Sequence, residues 1–398
     1  MYITHTKLNA TQAAEIAQLD FIESIDVVWD PDYEKDENRI PEEFRAINTT
    51  QLDEMTTEEP PESFLLTRSF AKSSTNANHF VPRAMGAPDP NAPYWKKMLS
   101  APPPSPGEAF LATDNYPPYL ADDTGGAGTT IYILDDGFDT GIPDLLQTPG
   151  GRRVDTHFMP NHFSLPAEVI TNNRAGTEEI GGPGFHGTIM ACLAGGAQIG
   201  VAPKANLYLF KVKGSYRNSN RPDPIISHHT HRSVTYWIRH VKEHIDQRER
   251  ARPAGGPPLK SVINMSWGIN NRQWGEDGEE SLNNMKTLLQ RFLDWCSARG
   301  IPVVVAAGNE DFRTWDTNEN LPHSMSRDTD SMIIVGAVNA RGLVIEQQLP
   351  DESGLVHLYS PGHEITTPTG NGNELKASGT SQATAIVVCN LFLYSNSH

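Results

Sequence analysis

From residue 129 onward the chain alternates between short apolar runs and longer stretches whose apolar residues recur three and four apart. The runs 130–134, 206–212, 261–266, 301–306 and 332–338 are mostly apolar or β-branched, which suits strands buried on both faces. Between them, Val234, Trp237, Ile238, Val241 and Ile245 fall at helical spacing. So do Leu282, Met285, Leu288, Leu289, Phe292, Leu293 and Cys296, with Gly300 as a C-terminal stop. Two further helices carry no charged stripe at all, one from His186 to Gly195 and one opening at Ser381. In the second, Ala383, Ala385, Ile386, Val387, Val388, Leu391, Phe392, Leu393 and Tyr394 point in every direction, so it has to be covered on all sides. One face goes to a sheet; the expectation is that residues from the first 90 cover the rest, or that an apolar patch is left exposed. Strands separated by helices of this length predict an α/β fold, a parallel sheet with helices on both faces and chemistry at the carboxyl ends of the strands.

The first third of the chain reads differently. Residues 1–30 carry a strand-like start, a helical stretch and a second strand-like run, a small α+β module. From Asp20 to Glu62 there are 15 Asp and Glu against three Lys and Arg, and Pro recurs from Pro82 to Pro106. Both stretches read as solvated connector, with the folded domain opening close to residue 91. The acidic stretch accounts for most of the net charge of -17, which argues against nucleic acid or an anionic membrane as partner. Cys192, Cys296 and Cys389 are too few and too far apart for a disulfide framework or a zinc site, and read as small core hydrophobes. No apolar run reaches the roughly 20 residues of a membrane helix, and no export signal opens the chain.

The chemistry-bearing residues sit where the fold class would put them. The first strand ends in Asp135, Asp136 and Gly137; a Gly-rich approach leads to His186, Gly187 and Thr188 at a helix start; the strand ending at Ala306 runs into Ala307, Gly308 and Asn309. Gly379, Thr380 and Ser381 open the last helix, where unpaired N–H groups and the positive end of the dipole favour negative charge. Singly, each has a plain structural explanation as a cap, a turn residue or a buried histidine. Together they supply what acyl transfer needs: a serine nucleophile, a histidine base, a carboxylate to fix its tautomer and a donor for the oxyanion. The order Asp, His, Ser along an α/β chain is that of subtilisin.

On these residues the chain resembles the subtilisin-like serine peptidases, in particular the proteinase K-like branch. Asp135 to Thr140 with Pro143, Asp144 and Leu145 looks like the aspartate motif, His186-Gly187-Thr188 like the histidine motif and Gly379-Thr380-Ser381 like the serine motif. Gly200 to Ala205 and Asn264 to Gly268 are similar to further signatures, and the likeness covers about residues 91–394. It departs at Asp136, where Thr or Ser is usual, at Ile189, Gln382 and Ala385. The Asp136 carboxylate either lies close to His186, raising the pKa of the base, or is pointed away by strand alternation.

The resemblance implies a serine endopeptidase of broad specificity: Ser381 as nucleophile, His186 as acid and base, Asp135 orienting it, and Asn309 in the oxyanion hole. Peptide substrate would lie along Ser266, Trp267 and Gly268, with Ala307 and Gly308 completing the cleft. It also implies residues 91–398 as the peptidase domain, 31–90 as connector and 1–30 as part of an inhibitory prodomain. The chemistry needs no cofactor; structural calcium enters only through the family, which is usually secreted or vacuolar. His228, His229, His231, His240 and His244 lack Cys or carboxylate neighbours and read as a solvated loop rather than a metal site. The alternative is a catalytically silent scaffold that binds peptides or a partner protein.

Overall fold

A computed structural model describes residues 85–101, 116–147, 151–158, 185–212, 214–216, 226–228, 231–256, 258–270, 278–309, 320–345, 355–368 and 374–394. The module 1–30 and the acidic connector lie outside these residues. In chain order the helices are α1 (Tyr94–Ser100), α2 (Phe185–Gly195), α3 (His231–Ala251), α4 (Gly278–Ser297) and α5 (Thr380–Tyr394). The strands are β1 (Thr129–Asp135), β2 (Val154–Phe158), β3 (Asn206–Lys211), β4 (Gly214–Tyr216), β5 (Ile226–His228), β6 (Lys260–Met265), β7 (Ile269–Asn270), β8 (Val303–Ala306), β9 (Asn320–Leu321), β10 (Met332–Val338), β11 (Leu358–Pro361), β12 (Ile365–Pro368) and β13 (Glu374–Ala377).

Seven strands form one sheet in the order β11-β10-β8-β6-β1-β3-β2, with every pairing parallel. The five strands predicted from apolar runs are its five interior strands. The two that were not, β2 and β11, are its edges: among the described residues each has a neighbour on one side only, so sequences such as Val-Asp-Thr-His-Phe keep polar residues and break the apolar run.

Strand alternation divides the core in two. Ile131, Ile133, Leu207, Leu209, Val262, Val304 and Val335 face α2 and α5, whereas Tyr132, Leu134, Phe210, Ile263, Met265, Val303 and Ile334 face α3 and α4. The α/β sheet covered on both faces is therefore as expected.

One expectation is corrected. The Pro-rich stretch is not connector throughout: it contains α1, whose Trp95 is buried in the same core as α2 and α5. Pro93 stands directly before the helix, where its missing N–H costs nothing. Residues 1–84, expected to help cover α5, and the side chains of Leu391 to Tyr394 lie outside the described residues; the first part of α5 is covered. Its residues 381–389 are buried throughout, packed among the sheet, α2 and Trp95, and no apolar face is left open over that span. Full burial of Ile386 and Val388 is worth about 1.5–3 kcal/mol each. The Cys389 thiol donates to the Ala194 carbonyl, tying α5 to α2. Among the described residues, no helix is long and apolar enough to cross a membrane.

Candidate active site

Three adjacent strand ends build the site. β8, β6 and β1 are neighbours in that order, and each runs out at the same edge, about one strand spacing of ~4.8 Å from the next. β1 delivers Asp135, β6 delivers Ser266 and β8 leads to Asn309, while α2 and α5 begin at this edge with His186 and Ser381 near their N-termini.

Asp135 is buried and its Oδ1 lies 2.8 Å from His186 Nδ1. The same oxygen accepts the Asp136 N–H at 2.8 Å. An ionised carboxylate can only accept, so Nδ1 carries the proton and Nε2 is left as the basic nitrogen. The His186 side chain is 37% exposed against 2% for Asp135, so the pair runs from the interior out into the cleft. The approach depends on glycine: a Cβ on Gly187 would stand 2.3 Å from the Gly137 carbonyl and 2.9 Å from Asp135 Cβ. Any side chain there would push α2, and His186 with it, off β1.

Ser381 is nearly buried, and its hydroxyl donates to the Ser266 carbonyl at 3.1 Å. In return the Ser266 hydroxyl donates to the Ser381 carbonyl, also at 3.1 Å, and Asn264, fully buried, donates to that hydroxyl at 3.0 Å. The start of α5 is thus pinned to the end of β6.

The Asn309 amide is oriented by its partners. Its Oδ1 accepts the Thr380 N–H at 2.8 Å and the Thr380 hydroxyl at 3.1 Å, and that hydroxyl accepts the Gly308 N–H at 3.1 Å. Because a backbone N–H can only donate, Oδ1 has to face Thr380, which leaves the Nδ2 donors directed away from it. In the sequence Thr380 stands out only as part of the serine motif. Its role as the brace of Asn309 has no signal in the sequence beyond its place beside Ser381.

The cleft residues divide by which part of them is available. The Trp267 side chain is core: its indole N–H donates to the Leu134 carbonyl at 2.6 Å and its ring packs edge-on against Trp237. Only its main chain can face a ligand. Ser266 is turned inward, Gly268 is exposed, Ala307 is buried and Gly308 is half-buried with φ 100°, a conformation that favours glycine.

Strand alternation does not carry Asp136 away from His186. The strand has ended at Asp135, and the Asp136 Oδ1 accepts the Gly187 N–H at 3.0 Å, inside the first turn of α2. A carboxylate oxygen of Asp135, one of Asp136 and a ring nitrogen of His186 lie within 4.8 Å of one another.

The histidine reading is revised for two residues. His240 and His244 belong to α3, where His240 lies against His157 and Tyr236, and His244 stacks on Tyr208 with its Nδ1 3.0 Å from the Tyr132 hydroxyl. Burial pushes the pKa of His157 and of His244 down to about 4 and lowers that of His240. They are an aromatic layer over β2 and β3. The side chains of His228, His229 and His231 lie outside the described residues.

A built-in cation is found at the opposite end of α2. The Lys96 ammonium, nearly buried, lies 3.2 Å from the Gly200 carbonyl and 3.5 Å from that of Gln198. Burial lowers its pKa, and Asp144 and Asp89 act against that fall.

A family model described as the subtilase family matches residues 126–391, about two-thirds of the chain. The chain belongs to the subtilase family. Similar curated subtilases are a subtilisin-like protease of Coccidioides posadasii, 29% identical over 294 residues (74% of this chain, 57% of the relative), and the subtilisin-like serine protease Pen ch 13 of Penicillium rubens, 29% identical over 293 residues (74% and 56%). Proteinase T of Parengyodontium album is 26% identical over 265 residues, 67% of this chain and 70% of the relative. A cold adapted subtilisin-like serine proteinase of known structure is 21% identical and aligns with a TM-score of 0.48 over 77% of this chain and 86% of its own. The chain spans a little over half the length of the first two relatives.

Proposed function

We propose that this subtilase is a serine endopeptidase acting through Ser381, His186 and Asp135. The observation that carries the reading is the Asp135–His186 hydrogen bond at 2.8 Å, standing at the strand edge where Ser381 and Asn309 also emerge. With Nδ1 committed to Asp135, His186 Nε2 takes the Ser381 proton as Oγ turns from the Ser266 carbonyl to attack the scissile carbonyl carbon. The electron pair of that carbonyl moves onto its oxygen, which the Nδ2 donors of Asn309 and the Ser381 N–H hold. Collapse expels the amine with the proton returned by His186, and water, activated by the same nitrogen, releases the acyl group. Apart from the attacking water, every group acting on the substrate belongs to the protein, so this sequence of steps calls for no cofactor.

Substrate is protein or peptide, lying extended against the main chain of residues 266–268 with Ala307 and Gly308 opposite; contact through main chain favours loose sequence preference. The peptidase domain is read as residues 91–398, preceded by the 31–90 connector and the prodomain-like 1–30. Structural calcium is common in subtilases. Among the described residues, the closest grouping of His, Cys and carboxylate ligand atoms is Asp135, Asp136 and His186, engaged as above, and the Gln198 and Gly200 carbonyls face Lys96. No calcium is assigned to either place.

A serine-directed fluorophosphonate probe tests the reading. Labelling at Ser381, lost in Ser381→Ala together with casein hydrolysis, is the expected result. A folded protein that neither labels nor hydrolyses would instead be the silent scaffold.

A further inference from the structure

Lys211 is the last residue of β3 and sits opposite Asp135 in the parallel register with β1. Its side chain is fully buried. On β3 it follows Leu207 and Leu209 in the alternation, so it projects to the α2 side of the sheet, the side on which Asp135 meets His186. A buried ammonium is costly unless a counter-charge stands near it. The carboxylate whose field reaches Lys211 is Asp136, which opposes the fall that burial imposes on the lysine; the result is a pKa of about 8, so the group is cationic at neutral pH.

Asp136 is therefore met by two positive features, the N-terminal N–H of Gly187 in α2 and the ammonium of Lys211. Left alone, a second carboxylate within 4.8 Å of the imidazole would favour its protonated form and weaken the base near neutral pH. We propose that Lys211 is a positioning residue of the catalytic site: its buried ammonium holds and offsets the Asp136 carboxylate, so that His186 ionises as if beside one aspartate rather than two. This rests on reading Ser381, His186 and Asp135 as a triad. Among the described residues, the other groups near the imidazole leave the assignment intact. Asp139 directs its Oδ1 to the Gly141 N–H and is unchanged in every variant below, so its field cancels from the comparison; Asn264, Ser266, Ser381 and Gln382, from β6 and α5, carry no charge. Cys192, farther along α2, is a buried thiol whose pKa burial raises, so it stays neutral.

The experiment is a charge cycle read on the histidine itself. In the full chain carrying Ser381→Ala, the His186 imidazole is titrated by NMR in four backgrounds: unaltered, Lys211→Met, Asp136→Asn, and both together. Lys211→Met should raise the His186 pKa by about one unit, Asp136→Asn should lower it, and the pair should return it close to the starting value. With Ser381 restored, the acidic limb of kcat/KM should move by the same amounts, so that Lys211→Met loses about tenfold at pH below the limb.

An unmoved imidazole in folded Lys211→Met overturns the proposal, and so does a double variant whose His186 pKa stays as high as in Lys211→Met alone. If Lys211→Met does not fold, the double variant decides. Recovery of a cooperative melt when Asp136 is neutralised too supports the pairing, and failure of both overturns it. The titration needs no turnover. A protein in which the cycle closes but Ser381 takes no probe would refute the peptidase reading and leave the pairing standing.

Discussion

The two faces of the sheet are built on opposite principles. On one side α3 and α4 are amphipathic: Val234, Trp237, Val241, Met285, Leu289 and Phe292 pack on the sheet, while Arg239, Glu243 and their like stay in water. On the other, α2 and α5 have no polar side to turn outward, contain no Asp, Glu, Lys or Arg, and are buried in the core from Ile189 to Ala194 and from Ser381 to Cys389. The face without amphipathic pattern is the one that carries His186 and Ser381. A helix start held on all sides cannot drift, and a nucleophile and base need placement to a fraction of an ångström. The outer helices close the core; the inner pair aims the chemistry.

That comparison can be broken most directly at the inner face. Asp135→Asn keeps the shape but can donate to Nδ1 and so favours the wrong tautomer; kcat should fall by roughly 10⁴, the scale of the equivalent change in a serine protease triad, with the melting curve little altered. A fall of less than tenfold would detach Asp135 from the chemistry. Ile386→Ala, fully buried in α5, should cost about 2–5 kcal/mol in urea unfolding, whereas Arg239→Ala on the outer face of α3 should stay within about 0.5 kcal/mol. Equal costs would mean that the two faces are not different in kind.

Asn309→Ala tests the brace between β8 and α5. The kcat should drop by roughly 10²–10³ with KM nearly constant, a magnitude taken from an oxyanion-hole asparagine of subtilisin; a change confined to KM would leave Asn309 as a turn residue only. Thr380→Val, which removes the hydroxyl between Gly308 and Asn309, should act in the same direction and less strongly.

The outer face should also show in the response of the fold to acid. Burial holds His157 and His244 at about 4 in the folded protein, against about 6.5 when unfolded. Between those values the unfolded chain binds more protons, so stability present above pH 6.5 is lost as pH falls toward 4. The melting temperature should decline over that window, and His157→Phe should flatten the decline. A variant that declines as steeply as the parent would show that the acid sensitivity lies elsewhere.

How far the sequence reaches follows from the same division. The interior strands are legible because both faces are buried, and α3 and α4 because their apolar residues keep a helical period. α2 and α5 have no such period and are marked only by Gly, His, Thr and Ser at their starts; α1 is hidden because Trp95 lies inside a Pro-rich stretch. The site residues were legible as an order of motifs. What could not be read was their bracing: that Thr380 orients Asn309, that Asp136 meets Gly187, and that Lys211, four residues past the Leu207 of an otherwise apolar strand, sits buried on the side of the triad aspartate. Each is a contact between residues remote in sequence, and no local pattern marks it.

Lys96 changes what the junction between α1 and the loop after α2 can tolerate. A diffusible ion held by the Gln198 and Gly200 carbonyls would be in equilibrium with the medium, present or absent according to its concentration. An ammonium on α1 is covalently part of the chain, and its effective concentration at those carbonyls is fixed by the fold. This positive charge can be neither diluted nor chelated away; it leaves only when α1 itself undocks, so the seating of Trp95 against α5 and the charge balance at Asp144 are gained and lost in one step.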